Sequence, residues 1–405
     1  QIAPRLGVSW DVRGDSSLKL FANAGRYHVG VPNRVAERGA GGSVNTTQYY
    51  TFTGIDPHSG VPTGLTPIGP LVSANNEFGI PRDPRNVSTR DLKPYYLDEL
   101  MAGMEMQLTP SLNFGARATY RKTKSLIDDL SDSRAIIEEM IAQGKTIDED
   151  YYSGHFQGLM YNPGSGIDFY DTLVEGGPLE HIVVGADKLG FPKPKRTYLA
   201  LNFFLEHPFE NGWYGKIDYT WSRSRGNSEG QLKSDLGQVD VSQSQDWDFP
   251  EFMVGADGPL PNDRKHMLKA FGYYQFNEEW LVNGNAVIQS GRPKNCLGRY
   301  FGGTNPSGYN PSSYFVCEGV LSPRGSKGRL PWTYQLALGV QYRPNLGDNH
   351  DLMFGLDVIN LLNQQRTLSM NERRENASGG VVETYTVPLS YNEPRYVQVS
   401  VRYDF

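Results

Sequence analysis

The chain has 405 residues, is 12% aromatic, contains 45 glycines and 24 tyrosines, and carries a net charge of −6. Charges of both signs are mixed along it, so no basic stripe forms and nucleic acid is excluded as a partner. It contains no run of 18 or more apolar residues, which excludes spanning helices but leaves spanning β-strands, because those need only about 10 residues with one apolar face.

Taken in chain order, alternation of apolar and polar residues predicts about eleven strands: 6–12, 18–27, 95–108, 112–124, 199–205, 213–224, 264–276, 281–292, 332–342, 352–358 and 397–405. The pattern is clearest at 332–342. There Trp332, Tyr334, Leu336, Leu338, Val340 and Tyr342 share one face, and Thr333, Gln335, Ala337, Gly339 and Gln341 share the other. The thin apolar face of 281–288 (Val282, Gly284, Ala286, Ile288) is the weakest. Residues 1–12 already alternate as a strand, so no leader is read there and the chain is expected to be part of something longer.

Connections between these strands alternate strictly in length. Short ones are expected at 13–17, 109–111, 209–212, 277–279 and 345–349, and long ones at about 28–94, 125–195, 225–262, 293–330 and 364–393. In an antiparallel meander every second connection lies on the same rim. All short turns therefore share one rim and all long loops the other, as in outer-membrane barrels with short periplasmic turns and long extracellular loops. A soluble sandwich would not sort its loops this way. Trp10, Trp213 and Trp280 abut short turns and Trp221 and Trp332 abut long loops, as interfacial girdles require. The fold class expected is all-β, an antiparallel transmembrane β-barrel segment. Outer-membrane lipid and lipopolysaccharide would then be its surroundings, and a Gram-negative outer membrane its location.

Cys296 and Cys317 are the only cysteines and lie in one Gly, Asn, Ser and Pro rich segment, so a loop-closing disulfide is expected. Residues 131–143 carry a helical period, with Ile136, Ile137, Met140 and Ile141 expected on one face. The seven histidines are scattered, and GxSxG, P-loop and HExxH motifs are absent, so neither an enzyme nor a metal or cofactor site is expected. Acidic groups at Asp128, Asp129 and Asp132 and at Asp148, Glu149 and Asp150 suit a divalent cation, but a solvated loop is the simpler expectation. Arg117, Arg121, Lys216, Asp218, Gln335, Gln341, Asp357, Gln398 and Arg402 are expected to face the lumen. Loop aromatics Tyr49, Tyr50, Phe52, Tyr151, Tyr152, Tyr300, Phe301, Tyr309 and Tyr314 are candidates for ligand contact, since flat amphipathic rings suit sugar, siderophore or peptide surfaces. Ordinary loop packing accounts for them equally well.

The closing strand presents Tyr403 and ends in Phe405, and so resembles the final strand of outer-membrane barrels, which the barrel-assembly machinery recognises. Further segments carry a family resemblance: APRLGVSWDV at 3–12, LFANAGRYH at 20–28, NDRKHMLKAFGYYQF at 262–276, IQSGRPKNCLG at 288–298, LDVINLLNQQ at 356–365 and RYVQVSVRYDF at 395–405. Together they resemble the Oar-like branch of the TonB-dependent receptors. That resemblance implies an N-terminal regulatory-like domain, a plug and a barrel of about 22 strands, of which this chain would supply about eleven C-terminal ones without plug or TonB box. It also implies transport of a solute energised by TonB through a missing N-terminal region. The alternatives are a plug-free porin or adhesion barrel, a membrane-embedded hydrolase and a soluble carbohydrate-binding sandwich.

Overall fold

The computed structural model describes residues 2–33, 35–36, 46–73, 78–81, 83–156, 158–238, 241–242, 244–301, 305–308, 310–346 and 351–404. Eleven strands pair in strict chain order into one antiparallel sheet. They are β1 (Arg5–Asp11), β2 (Leu18–His28), β3 (Tyr96–Thr109), β4 (Leu112–Ser125), β5 (Arg196–Glu210), β6 (Trp213–Gly226), β7 (His266–Gln275), β8 (Trp280–Gln289), β9 (Thr333–Tyr342), β10 (Asp351–Ile359) and β11 (Tyr396–Asp404). A two-residue strand, Gly258–Pro259, adds to the end of β6.

The register explains why these segments are strands. Cross-strand partners share a face, and one row runs Val8, Ala22, Ala102, Ala118, Leu201 and Trp221 across β1 to β6. On that face Leu6, Leu100, Phe203, Ile217, Leu338 and Val399 are all exposed. A sheet in water would cover such a surface, whereas a bilayer solvates it. The opposite face carries the charged and amide side chains. Lys216 pairs with Glu206, Asp218 with Lys269, Arg117 with Asn202, Arg121 with Glu99 and Asp357 with Gln398. Gln335, Gln341 and Arg402 lie opposite Val287, Gly355 and Met353 on this same face. All nine positions expected to face the lumen therefore lie on one side, and the single sheet with its apolar outer face is no sandwich.

Turn chemistry sets one rim. β5 and β6 meet at Asn211–Gly212, both at positive φ (53° and 84°), the conformation of a tight two-residue hairpin that glycine adopts without strain. Asp11 accepts hydrogen bonds from the backbone N–H groups of Gly14 and Ser16 in the β1–β2 turn. The long connections all leave the other rim: loop 1 after β2, loop 2 after β4, loop 3 after β6, loop 4 after β8 and loop 5 after β10.

The structure sets the strand ends and the edges of the sheet. β5 runs from Arg196 to Glu210, filling the span between the long loop expected to end at 195 and the short turn expected at 209–212, with polar Arg196, Glu206 and His207 continuing the pairing beyond the apolar run at 199–205. The thin strand at 281–292 ends at Gln289, and its small residues are filled from the neighbouring strand, where Leu338 lies opposite Gly284. Among the described residues the eleven strands do not close on themselves, since β1 pairs only with β2 and β11 only with β10. Phe405 lies outside the described residues, whereas Tyr403 pairs with Leu352 on the apolar face.

Candidate functional site: the loop layer

The long loops pack on one another instead of trailing from the sheet. Leu126, Leu130 and Phe169 of loop 2, Trp247 of loop 3 and Leu297 and Phe315 of loop 4 belong to one buried cluster. A short helix, α1 (Arg134–Ala142), contributes Ile136, Ile137 and Met140. Ile141 does not join them: it is 50% exposed, because its position on the helix turns it from the cluster that its neighbours enter. The acidic groups divide. Asp128, Asp129 and Asp132 are buried and held within the protein rather than solvated: Asp128 accepts from the N–H and Oγ of Ser244 at 2.6 and 2.8 Å, and Asp132 pairs with Arg134 at 2.7 Å. Asp148 caps a second helix, α2 (Glu149–His155), by accepting from Tyr151 N–H. Among the described residues no group of three or more His, Cys, Asp or Glu is placed to hold a metal ion.

A buried charge network ties loops 3, 4 and 5 together. The Arg324 guanidinium of loop 4 lies 2.9 Å from Asp246, 3.2 Å from Asp235 and 3.5 Å from Glu229, and donates through Nε to the Ala256 carbonyl at 2.9 Å. Lys233 adds a second cation on Asp246 at 2.6 Å. Both cations lie over the Phe315 ring, at 4.7 and 5.3 Å. Asn295 bridges Asp235 to Glu372 of loop 5 at 2.8 and 2.7 Å, and Arg292 pairs with Glu372 at 3.1 Å. Beside Asn295, the Cys296–Cys317 disulfide closes loop 4 across a separation of 21 residues, with Cα atoms 5.5 Å apart. Loop-closure entropy assigns it about 3 kcal/mol.

Burial governs the protonation of this network. Burial pushes Glu229 up to about 7, with Asp235 adding to the effect against Arg324. Burial likewise pushes Glu372 up to about 7 against Arg292. Burial alone would raise Asp246 too, but Lys233 and Arg324 outweigh it and hold its carboxyl below the ordinary range. Glu229 and Glu372 therefore bind protons more tightly folded than unfolded. Their contribution is full below an ordinary value of 4.5 and is lost as pH rises through about 7. Asp246 acts in the other direction, losing its contribution as pH falls through its depressed folded value. The loops should resist proteolysis best between these limits. Resistance of loops 3 to 5 is expected to fall as pH rises from about 5 to 8, and E372Q should flatten that fall; an unchanged profile in E372Q would refute the assignment.

The aromatic candidates separate by burial. Tyr49 and Tyr50 stand on a loop 1 hairpin (Thr46–Thr51 with Thr66–Ser73), 62% and 46% exposed, and Phe52 follows them at 53%. Phe301 is exposed and packs edge-on to Tyr300, which leans against Tyr314. Tyr151 is partly buried and stacks on His155. Tyr152 and Tyr314 are buried, so their rings build the loop core and present no surface. Tyr309 lies outside the described residues. The charge network was not legible in the sequence, because its members come from three loops and no short motif joins them.

A family described as "Outer membrane beta barrel domain" matches residues 1–329. The chain belongs to this outer-membrane β-barrel family. As a member it is placed in the Gram-negative outer membrane. It is 26% identical over 465 aligned residues to the TonB-dependent transporter Oar of Myxococcus xanthus, a match covering all of this chain and 39% of that protein. In solved structures its fold is similar to the outer membrane transporter YddB from Escherichia coli, with a TM-score of 0.55, 13% identity, and coverage of 100% of this chain and 40% of that one. The chain thus spans about two fifths of the length of each. The Oar-like resemblance seen in the sequence motifs is borne out by this end-to-end similarity, and both similar proteins are named as transporters.

Proposed function

We propose that this chain forms part of the wall and the outward loop layer of a TonB-dependent transporter that moves a solute across the outer membrane. The similarity to Oar over the whole chain carries the reading. It is supported by the apolar belt, by the polar face that would line the lumen, and by five long loops gathered on one rim and packed into a layer. The loop rim faces the outside in this reading, and the short turns face the periplasm. Further strands would complete the wall beyond β1 and β11, and TonB would act through a plug-bearing N-terminal region. The barrel-assembly machinery would read the final strand through Tyr403 and Phe405.

Ligand contact falls to the exposed loop aromatics Tyr49, Tyr50, Phe52 and Phe301, which offer flat rings at a surface otherwise rich in Gly and Ser. Uptake or growth on candidate solutes, measured with the full-length parent in cells with and without TonB, tests the function. Solute-dependent growth should be lost without TonB and reduced about tenfold or more in a triple Y49A/Y50A/F52A variant. Growth unaffected by TonB would overturn the transport reading. Growth unaffected by the triple variant would remove loop 1 from ligand contact.

A further inference from the structure

A basic cleft opens where loops 1, 2 and 3 leave the sheet. It has a volume of about 680 Å³, and its lining holds seven Lys or Arg residues against one carboxylate, Asp257. Lys195 and Arg225 share Asp257 at 3.3 and 3.6 Å, and Lys124 lies 3.8 Å from Asp98. Lys93, Lys122 and Lys193 are exposed and have no carboxylate partner among the described residues. Three unneutralised ammonium groups around one cleft repel each other, and an anion would relieve that repulsion.

The register shows which way the cleft faces. Lys122 lies opposite Thr197, and Thr197 opposite Arg225. Two residues along each strand, and so on the same face, stand Tyr120, Leu199 and Arg223; Leu199 lies opposite both Tyr120 and Arg223. Tyr120 and Leu199 belong to the exposed apolar belt. Lys122 and Arg225 therefore sit on the outer wall, not in the lumen, one step above the exposed apolar surface on the loop side, and Lys93 and Lys193 of loops 1 and 2 line the same cleft. Tyr120 and Leu199, directly below Lys122 and Arg225, enter a shallow apolar trough of about 520 Å³, floored by Ala22, Ala24, Ala102 and Ala118 and flanked by Leu6 and Leu100. The absence of larger side chains in this row lets a hydrocarbon chain lie close to the strands.

We propose that cleft and trough together form a binding site for a phosphorylated glycolipid of the outer leaflet, with phosphates among Lys93, Lys122 and Lys193 and acyl chains along the alanine trough. A free anion would use the cleft but leave the trough empty, and an uncharged lipid would leave the three lysines uncompensated. A lipid carrying more than one phosphate above several chains satisfies both halves. The inference rests on the loop rim facing outward, as in the proposed function.

Native mass spectrometry of the full-length protein in detergent, titrated with bisphosphorylated lipid A, monophosphorylated lipid A, phosphatidylglycerol or inorganic phosphate, tests it. Bisphosphorylated lipid A should be retained best, and loss of one phosphate should weaken binding several-fold. K93Q/K122Q/K193Q should weaken it about tenfold or more, with retention of K93R/K122R/K193R and no change in K188Q, an exposed loop 2 control. Unchanged binding in the glutamine triple, or equal retention of phosphatidylglycerol, would overturn the site. Displacement of the lipid by millimolar inorganic phosphate would assign the cleft to a free anion and also overturn it. Thiol labelling of a Lys188→Cys variant on intact cells reports separately on the outward rim, so failure of the orientation is distinguishable from failure of the lipid site.

Discussion

An R324A variant is expected to unlock the loop layer while leaving the sheet intact. Arg324 is fully buried and faces three carboxylates, of which Asp246 keeps Lys233 and Asp235 keeps Arg292, whereas Glu229 has no other cationic partner among the described residues. Truncation leaves buried negative charge uncompensated and frees the Ala256 carbonyl, at a cost of about 3–5 kcal/mol. The loss falls on the contacts among loops 3, 4 and 5, because the network has no member in the sheet strands. Limited proteolysis of the full-length protein should therefore cut loops 3 and 4 at least tenfold faster, while heat-modifiable gel mobility, which reports the barrel, stays unchanged. R324K should rescue only in part, since an ammonium cannot hold several carboxylates and the Ala256 carbonyl in the planar fork that Arg324 uses. Identical cleavage of R324A and wild type would show that the network does not hold the loops.

Leu338→Arg and Gln335→Arg are expected to diverge sharply although they lie three residues apart on β9. Leu338 is 48% exposed on the apolar face, opposite Gly284 and Val358. Gln335 is exposed on the other face, opposite Val287. An arginine at mid-strand on the lipid side costs about 2–4 kcal/mol, whereas on the lumen side it remains hydrated. The amount of folded, heat-modifiable protein in the outer membrane should fall several-fold for L338R and change little for Q335R. Equal tolerance of both would mean that lipid does not cover this face.

Alternation alone located all eleven sheet strands, because a period of two with one apolar face is written locally in each segment. Loop sorting was legible for the same reason, since turn residues such as Asn211–Gly212 act within two positions of themselves. Strand ends were less so. At β5 the pairing continues through Arg196, Glu206 and His207, held by β4 and β6 rather than by local hydrophobicity. The loop aromatics show the limit of composition as a guide to sites. Tyr49 and Tyr152 are chemically alike, yet one stands on an exposed hairpin and the other fills a core.

By itself the sequence determined a membrane-compatible sheet, its two faces, its two rims, the likeness to the Oar-like receptors and the pairing of the two cysteines, since each depends on residues near one another in the chain or on there being no other candidate. The tertiary structure alone decided that among the described residues the sheet stays open between β1 and β11, that the long loops pack into one layer, and that Arg324 meets Asp246, Asp235 and Glu229 from up to 95 residues away. It also decided that the lysines at 93, 122 and 193 share one cleft. The physical reason is common to all of these: burial and charge pairing depend on distance in space, and loops leaving one rim are brought together by the register of strands far apart in the chain.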